Sequence, residues 1–335
     1  FKRAQSVEAA LFGLKTLSPT STEDIGAVNE SYEASAPFWE KESSQIAVAK
    51  KVAFVGRLNI LPDGLRDEIT AGLSSENPDD VVAAASLMQN LESVSPQIAS
   101  QFGNSEAVSF GRQVLLYNQQ GLSGEDAVTR AKELRNVSDA DKKARRDAIT
   151  LARPKDELDI DTFFTDTVND KIYGEKSDDA IVPSIMRAEF NGMVQNEFMR
   201  TGDIEVAKNS TLATFRKLWG AHHQGGNTFL MRRPPNLFYG QGNKTQQENS
   251  AWMMEQLLDD MSESGIFAGL LTEDRVRITE HPTRSNGKLP LYQVIILPTD
   301  DQEGFSAPVP WADPNGNPHP WMPDFKTSRQ AHRKT

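Results

Sequence analysis

Leu218-Trp219-Gly220-Ala221-His222-His223-Gln224-Gly225-Gly226-Asn227-Thr228-Phe229-Leu230-Met231-Arg232-Arg233-Pro234-Pro235 is the stretch where this chain changes its grammar. Gly225-Gly226 stands between two short runs and permits the positive backbone angles of a two-residue hairpin. Pro234-Pro235 then forces an extended exit, because proline lacks the amide hydrogen a helix or ladder needs. Residues before this point read as helix, and the residues after it read as hairpins, prolines and one further helix.

Helix punctuation dominates residues 1–218. Asn77-Pro78-Asp79-Asp80 supplies a capping side chain, a proline at the first helical position and acids in the first turn, so Val81 to Leu91 is expected to be helical. Ser95-Pro96 repeats the device. Ser123-Gly124-Glu125-Asp126 and Ser138-Asp139-Ala140-Asp141 resemble capping boxes with Asp in place of Glu or Gln, and each opens an amphipathic segment. Ser105 to Gln120 spaces Val108, Leu115 and Leu116 as a helix does, with Gly121 as the stop.

Two later segments carry apolar faces: Ile185, Phe190, Met193, Val194 and Phe198 on Ser184 to Arg200, and Ile204, Val206, Leu212, Phe215 and Leu218 on Asp203 to Leu218. Such stripes of Met and Phe are expected in a core rather than around a cofactor. The acidic run Lys155-Asp156-Glu157-Leu158-Asp159-Ile160-Asp161 is the expected boundary between helical regions.

Beyond the hairpin, Glu248 to Met261 reads as a helix carrying Trp252, Met253, Leu257 and Leu258. Arg275 to Thr279 alternates as a half-buried strand, and Leu291 to Leu297 is apolar enough to be the central strand, the two joined through Ser285-Asn286-Gly287-Lys288. The fold class expected is mainly α, a region of short capped helices followed by a small α+β C-terminal unit. The divisions expected are a helical region over 1–154, a second over 155–218, the α+β unit over 219–325 and a basic tail over 326–335.

Composition excludes several chemistries. Without a cysteine in its 335 residues, the chain has no disulfide, thiolate metal site or cysteine nucleophile. No window approaches the roughly 18 consecutive apolar residues of a membrane span. A net charge of −11 and a pI near 5.1 argue against sequence-independent nucleic-acid binding, which needs concentrated Lys and Arg. After Asp324, Lys326, Arg329, Arg333 and Lys334 accumulate with no further acid, and this tail is the candidate for a weak DNA contact. The chain begins on Phe1 in what reads as mid-helix, without the apolar run of a signal peptide, so it is expected to be a piece of a longer protein.

Candidate catalytic and metal-binding constellations fail on geometry. His222 and His223 are adjacent, and on a strand neighbours point to opposite faces, so the two do not share one metal. Asp259-Asp260 on a helix diverge by about 100°. Asp313-Pro314-Asn315-Gly316-Asn317 has the opening of a calcium loop with Asp324 at its twelfth position, but Pro318 occupies the sixth, where glycine is needed. No phosphate-binding glycine loop, nucleophile elbow or H-E-x-x-H helix occurs. No catalytic, cofactor-binding or metal-ligating residue is therefore expected in this stretch, and the candidate interaction residues are Trp219, His222, His223, Arg232, Arg233 and the tail cations Lys326, Arg329, Arg333 and Lys334.

Trp219, Gly225-Gly226-Asn227, Leu230-Met231, Pro234-Pro235 and Phe238-Tyr239, followed by the Trp252 helix, the Tyr292 strand and a closing Trp321-Met322-Pro323-Asp324, form a pattern similar to the C-terminal regions of very large internal virion, or ejection, proteins of short-tailed bacteriophages. Leu91 to Leu134 also resembles the short capped helices of those proteins. The resemblance implies a protein packaged in the virion and released through the tail at infection, where it helps to build a conduit for genome translocation across the host cell envelope. It implies partners among portal, tail or further ejection proteins, a homo-oligomeric assembly and no cofactor. Two alternatives stand beside it. One is a portal- or tail-associated adaptor retained in the particle; the other is a peptidoglycan-degrading virion enzyme with Glu189 or Glu197 as its acid. Some members of such families carry a lytic transglycosylase domain, but the Glu-Ser helix and Gly-Leu-Met-Gln type of segment that would mark it are not found here.

Overall fold

The computed structural model describes residues 2–103, 105–151, 160–169, 182–224, 227–234, 246–263, 272–280, 291–297, 309–312 and 320–321. The chain divides into two units, Phe1–Val137 and Ser138–Thr335.

The first unit is all helix: α1 (Lys2–Leu11), α2 (Thr22–Trp39), α3 (Ser44–Leu58), α4 (Asp63–Leu73), α5 (Pro78–Val94), α6 (Pro96–Gln101), α7 (Glu106–Gln119) and α8 (Gly124–Asn136). Its boundaries follow the expected chemistry. Asn77 accepts from the Asp79 amide ahead of Pro78, Ser105 accepts from Val108, and Ser123 accepts from Asp126 while its hydroxyl donates to the Asp126 carboxylate. Ser138 does the same with Asp141 at the start of the second unit. Each such cap satisfies an amide hydrogen that has no partner inside its helix. Gly121, at φ +89°, ends α7 in the left-handed region.

α5 is the central post of this unit. Its Ala84, Ala85, Leu87, Met88 and Leu91 join a large core built from α1 to α7. Val81 turns to a smaller cluster with Phe110, Val114 and Tyr117 of α7 and Ala127, Val128 and Ala131 of α8. The alanines of α5 make this two-sided burial feasible by letting neighbours approach closely. A Cβ on Gly72 of α4 would sit 2.7 Å from the Ala84 Cβ, and one on Gly111 of α7 would sit 2.7 Å from Leu73 Cδ2. Gly72→Ala is therefore expected to destabilise the unit by about 1–2 kcal/mol, the overpacking exceeding the gain of roughly 1 kcal/mol in helix propensity. Urea denaturation followed by circular dichroism checks this; a neutral or stabilising outcome would mean that α4 and α5 separate without strain.

Several polar groups inside the first unit are matched to one another. Lys51, only 5% exposed, donates to both carboxylate oxygens of Glu68 at 2.7 Å, and the Tyr32 hydroxyl donates to the same carboxylate. Asn29 replaces the side-chain cap that Pro62 does not give α4, accepting from the Asp63 amide and donating to the Asp63 carboxylate. The Gln101 amide spans the turn after α3, accepting from Leu61 N–H and donating to the Asn59 carbonyl. Burial first, and then the negative charge of Glu68, hold the Tyr32 phenol well above the ordinary tyrosine value. The folded state thus favours the protonated phenol, while the unfolded chain ionises from about pH 10. Stability from this group is fully present below that pH and is lost as pH rises beyond it. Melting temperatures between about pH 9 and pH 11 should fall less steeply for Tyr32→Phe than for the parent; equal slopes would remove Tyr32 as the cause.

The second unit begins with α9 (Asp139–Leu151) and α10 (Ile160–Phe163), which runs into a π-helical turn over Phe164–Asn169. Then come α11 (Val182–Thr201) and α12 (Ile204–Leu218), a hairpin of β1 (Trp219–Gln224) and β2 (Asn227–Arg232), α13 (Gln246–Glu263), and the strands β3 (Val276–Glu280), β4 (Tyr292–Ile296) and β5 (Val309–Pro310). The sheet order is β3-β4-β5, all antiparallel, so the apolar strand is the central one, as its composition predicts. β5 is two residues long and contains Pro310, paired with Ile295. Trp321 adds a bridge to Tyr292, each backbone amide donating to the other's carbonyl at 2.8 Å. The fold is mainly α with a small α+β part at its C-terminal end.

Two expectations are corrected. On α11 the buried face is Met186, Phe190, Met193, Val194 and Phe198, whereas Ile185 is 51% exposed. On α12 Ala207 is buried and Val206 is 49% exposed. The large residue one position away attracts the sequence reading, but spacings of three and four select Met186 and Ala207. By contacts the chain divides between Val137 and Ser138. Ala148 and Ile149 of α9 pack on the α11–α12 core, and Arg145 donates to the Met199 and Arg200 carbonyls at the end of α11. Trp219, Ala221 and Leu230 of the hairpin belong to the same core as α11 and α12. The turn at 285–288, the calcium-like loop from Asp313 to Asp324 and most of the acidic run lie outside the described residues.

Candidate functional site

The hairpin that decides the fold also gathers the polar side chains. Gln224 pairs with Asn227 in the register, and Trp219 pairs with Arg232. Because side chains alternate across a strand, the hairpin has two distinct faces. Trp219, Ala221 and Leu230 enter the α11–α12 core, where the Phe215 ring stacks on Trp219 at 6.0 Å and meets Phe190 edge-on at 5.2 Å. On the other face, Met231 joins Met253, Met254, Leu257 and Met261 of α13 with Val276, Ile278, Tyr292, Val294, Ile296, Trp311 and Trp321. Gln224 donates its side-chain amide to the Val276 carbonyl, and the Arg277 guanidinium lies 4.3 Å from the centre of the Phe229 ring.

At the open end of the hairpin stands a cluster of ionised groups. Glu189 of α11 accepts from Trp219 Nε1 at 2.8 Å with one oxygen and from Arg232 Nε at 3.0 Å with the other. Arg232 also donates through Nη1 to Glu280 at the end of β3, at 3.1 Å. The second oxygen of Glu280 lies 3.4 Å from Arg233 Nη1, both side chains being only 7% exposed. The Tyr292 hydroxyl donates to the Arg233 carbonyl at 2.7 Å. Arg233 adopts φ +47°, a left-handed conformation uncommon for a residue with a Cβ. Burial lowers its guanidinium pKa, against the raising effect of Glu280. Two cations and two anions thus balance within one cluster.

The sequence-selected residues separate into three groups. Trp219, Arg232 and Arg233 come together here, and their acidic partners Glu189 and Glu280 are the residues that sequence reading did not assign to them. The signal for Glu280 is faint: an acid closing a strand whose alternation is otherwise regular. His222 is 1% exposed and pairs in register with Phe229, while His223 pairs with Thr228. Lys326, Arg329, Arg333 and Lys334 lie outside the described residues. Among the described residues no group of three His, Cys, Asp or Glu side chains is placed to hold a metal ion, and no helix is long and apolar enough to cross a membrane.

Glu197, the other candidate acid, is 2% exposed and accepts from Arg200 at 2.7 Å and from the Ser210 hydroxyl at 3.3 Å. Both carboxylates are thus engaged by neighbouring donors, Glu189 by Trp219 and Arg232. Asp260 accepts from Trp321 Nε1 at 2.9 Å, which ties the C-terminal segment to α13. No protein family model, curated protein or solved structure matches this chain.

Proposed function

We propose that this chain is a structural part of a phage genome-ejection apparatus, packaged in the virion and contributing to DNA translocation into the host. The observation that carries the reading is the resemblance of the segment from Trp219 to Asp324 to the C-terminal regions of internal virion proteins. The use of that segment's polar residues is consistent with it. Trp219, Arg232, Arg233, Glu189 and Glu280 are joined in one network of hydrogen bonds and ion pairs. Glu189 and Glu197 each accept from neighbouring donors within the chain. The partners in this reading are portal, tail or further ejection proteins and other copies of the chain.

Mass spectrometry of intact virions and of particles that have emptied their genome onto host cells tests the proposal. Loss of the chain together with the DNA is the expected outcome. Retention in emptied particles would favour the portal- or tail-associated adaptor, and absence from both would overturn the proposal and return the question to enzymes.

A further inference from the structure

We propose that α13 with β3, β4 and β5 forms a body that opens reversibly from the α11–α12 core, and that Glu189, Arg232, Glu280 and Arg233 form the clasp controlling the opening. The two hydrophobic cores on either side of the hairpin share no residue. Leu230 belongs to one and Met231 to the other, so the partition runs through β2 itself. Arg232, the next residue, carries the bridge: its guanidinium holds Glu189 of α11 and Glu280 of β3 at once.

The chemistry of that bridge suits a joint that separates. Parting ion pairs exposes groups that water solvates well, and the apolar contact parted with them is that of Met231 with the α13 cluster. Ion pairs in such positions add little net stability over apolar replacements but respond to conditions that apolar contacts ignore. Arg232 is 28% and Glu189 23% exposed, so water and salt already reach the outer end of the clasp, while Glu280 and Arg233 close its inner end at 7% each. Glu189 retains the Trp219 indole as a donor when Arg232 leaves it. Arg233 sits where the chain leaves β2, in a left-handed conformation kept in place by the Tyr292 hydroxyl on its carbonyl. Release of that contact frees the residue to relax, as expected at a joint.

Hydrogen exchange by mass spectrometry on the full chain tests this at about 0.01 M and about 1 M sodium chloride, where the screening length falls from roughly 30 Å to 3 Å. The expected result is that α13, β3 and β4 exchange together and about tenfold faster at high salt, with α11 and α12 unchanged, as separate opening units behave. Arg232→Met should erase the salt response, and Arg232→Lys, which keeps the charge, should retain it. Equal exchange of all these elements at both salts would overturn the proposal by showing one cooperative block. A salt response that persists in Arg232→Met would also overturn it, since the clasp would not be its source. If Arg232→Met does not fold, the parent and Arg232→Lys still decide between separate opening and a single block.

Discussion

Phe190→Ala is expected to cost the second unit about 3–5 kcal/mol, the range for emptying a buried aromatic site. Phe190 is fully buried and lies at the centre of a ring cluster. Phe163 stacks against it at 6.1 Å, Phe164 tilts toward it at 5.5 Å and Phe215 meets it edge-on at 5.2 Å. Truncation removes three ring contacts together, each worth about 0.5–1.5 kcal/mol beyond area burial. Surrounding rings cannot collapse into the space without leaving their own packing. Near-ultraviolet circular dichroism during urea denaturation checks the value. A loss below about 1 kcal/mol would show that the cluster repacks and that the α11–α12 core is looser than its burial implies.

The second large effect is an asymmetry between two halves of one ion pair. Glu68→Ala should destabilise the first unit by about 2–3 kcal/mol, because it leaves the Lys51 ammonium, 6% exposed at its side chain, without its carboxylate. The value is below the full cost of orphaning a buried charge because Glu68 is itself 44% exposed, so water enters the vacated position. The same change also deprives the Tyr32 hydroxyl of its acceptor. Lys51→Met should cost less than about 1 kcal/mol, since it removes the charge and its need for a partner together. Thermal melts of the two variants and their double mutant measure the difference. Equal losses in Glu68→Ala and Lys51→Met would place the energy in the attraction itself rather than in the unmet charge.

The helix starts were legible because each depends on a few adjacent residues. Asn77 before Pro78, Ser105, Ser123 and Ser138 carry the chemistry of a cap in their own side chains. The C-terminal strand order was legible for a similar reason: Leu291 to Leu297 is apolar except for Gln293, richer in apolar residues than β3. What sequence did not disclose is set by partners far along the chain. Lys51 interrupts an apolar helix as a surface residue would, and only Glu68, brought in by α4, makes it an interior one. Ala207 looks too small to mark a core face, yet close contact between α11 and α12 favours it over Val206. At the candidate site Trp219, Arg232 and Arg233 stood out by residue type, but the acids that hold them come from Glu189 and Glu280, 43 and 48 positions from Arg232 in opposite directions. No local rule of spacing links them.

Pro310 gives the small sheet one more property. A strand at the margin of a sheet offers unpaired backbone groups to any other strand of matching length, and this is how folded chains recruit one another into aggregates. Here the marginal strand β5 is two residues long, and one of those two has no amide hydrogen to offer. At the other margin, Gln224 places a side-chain amide on the Val276 carbonyl of β3. Pairing of this sheet with a strand from another chain is thereby discouraged at both of its margins.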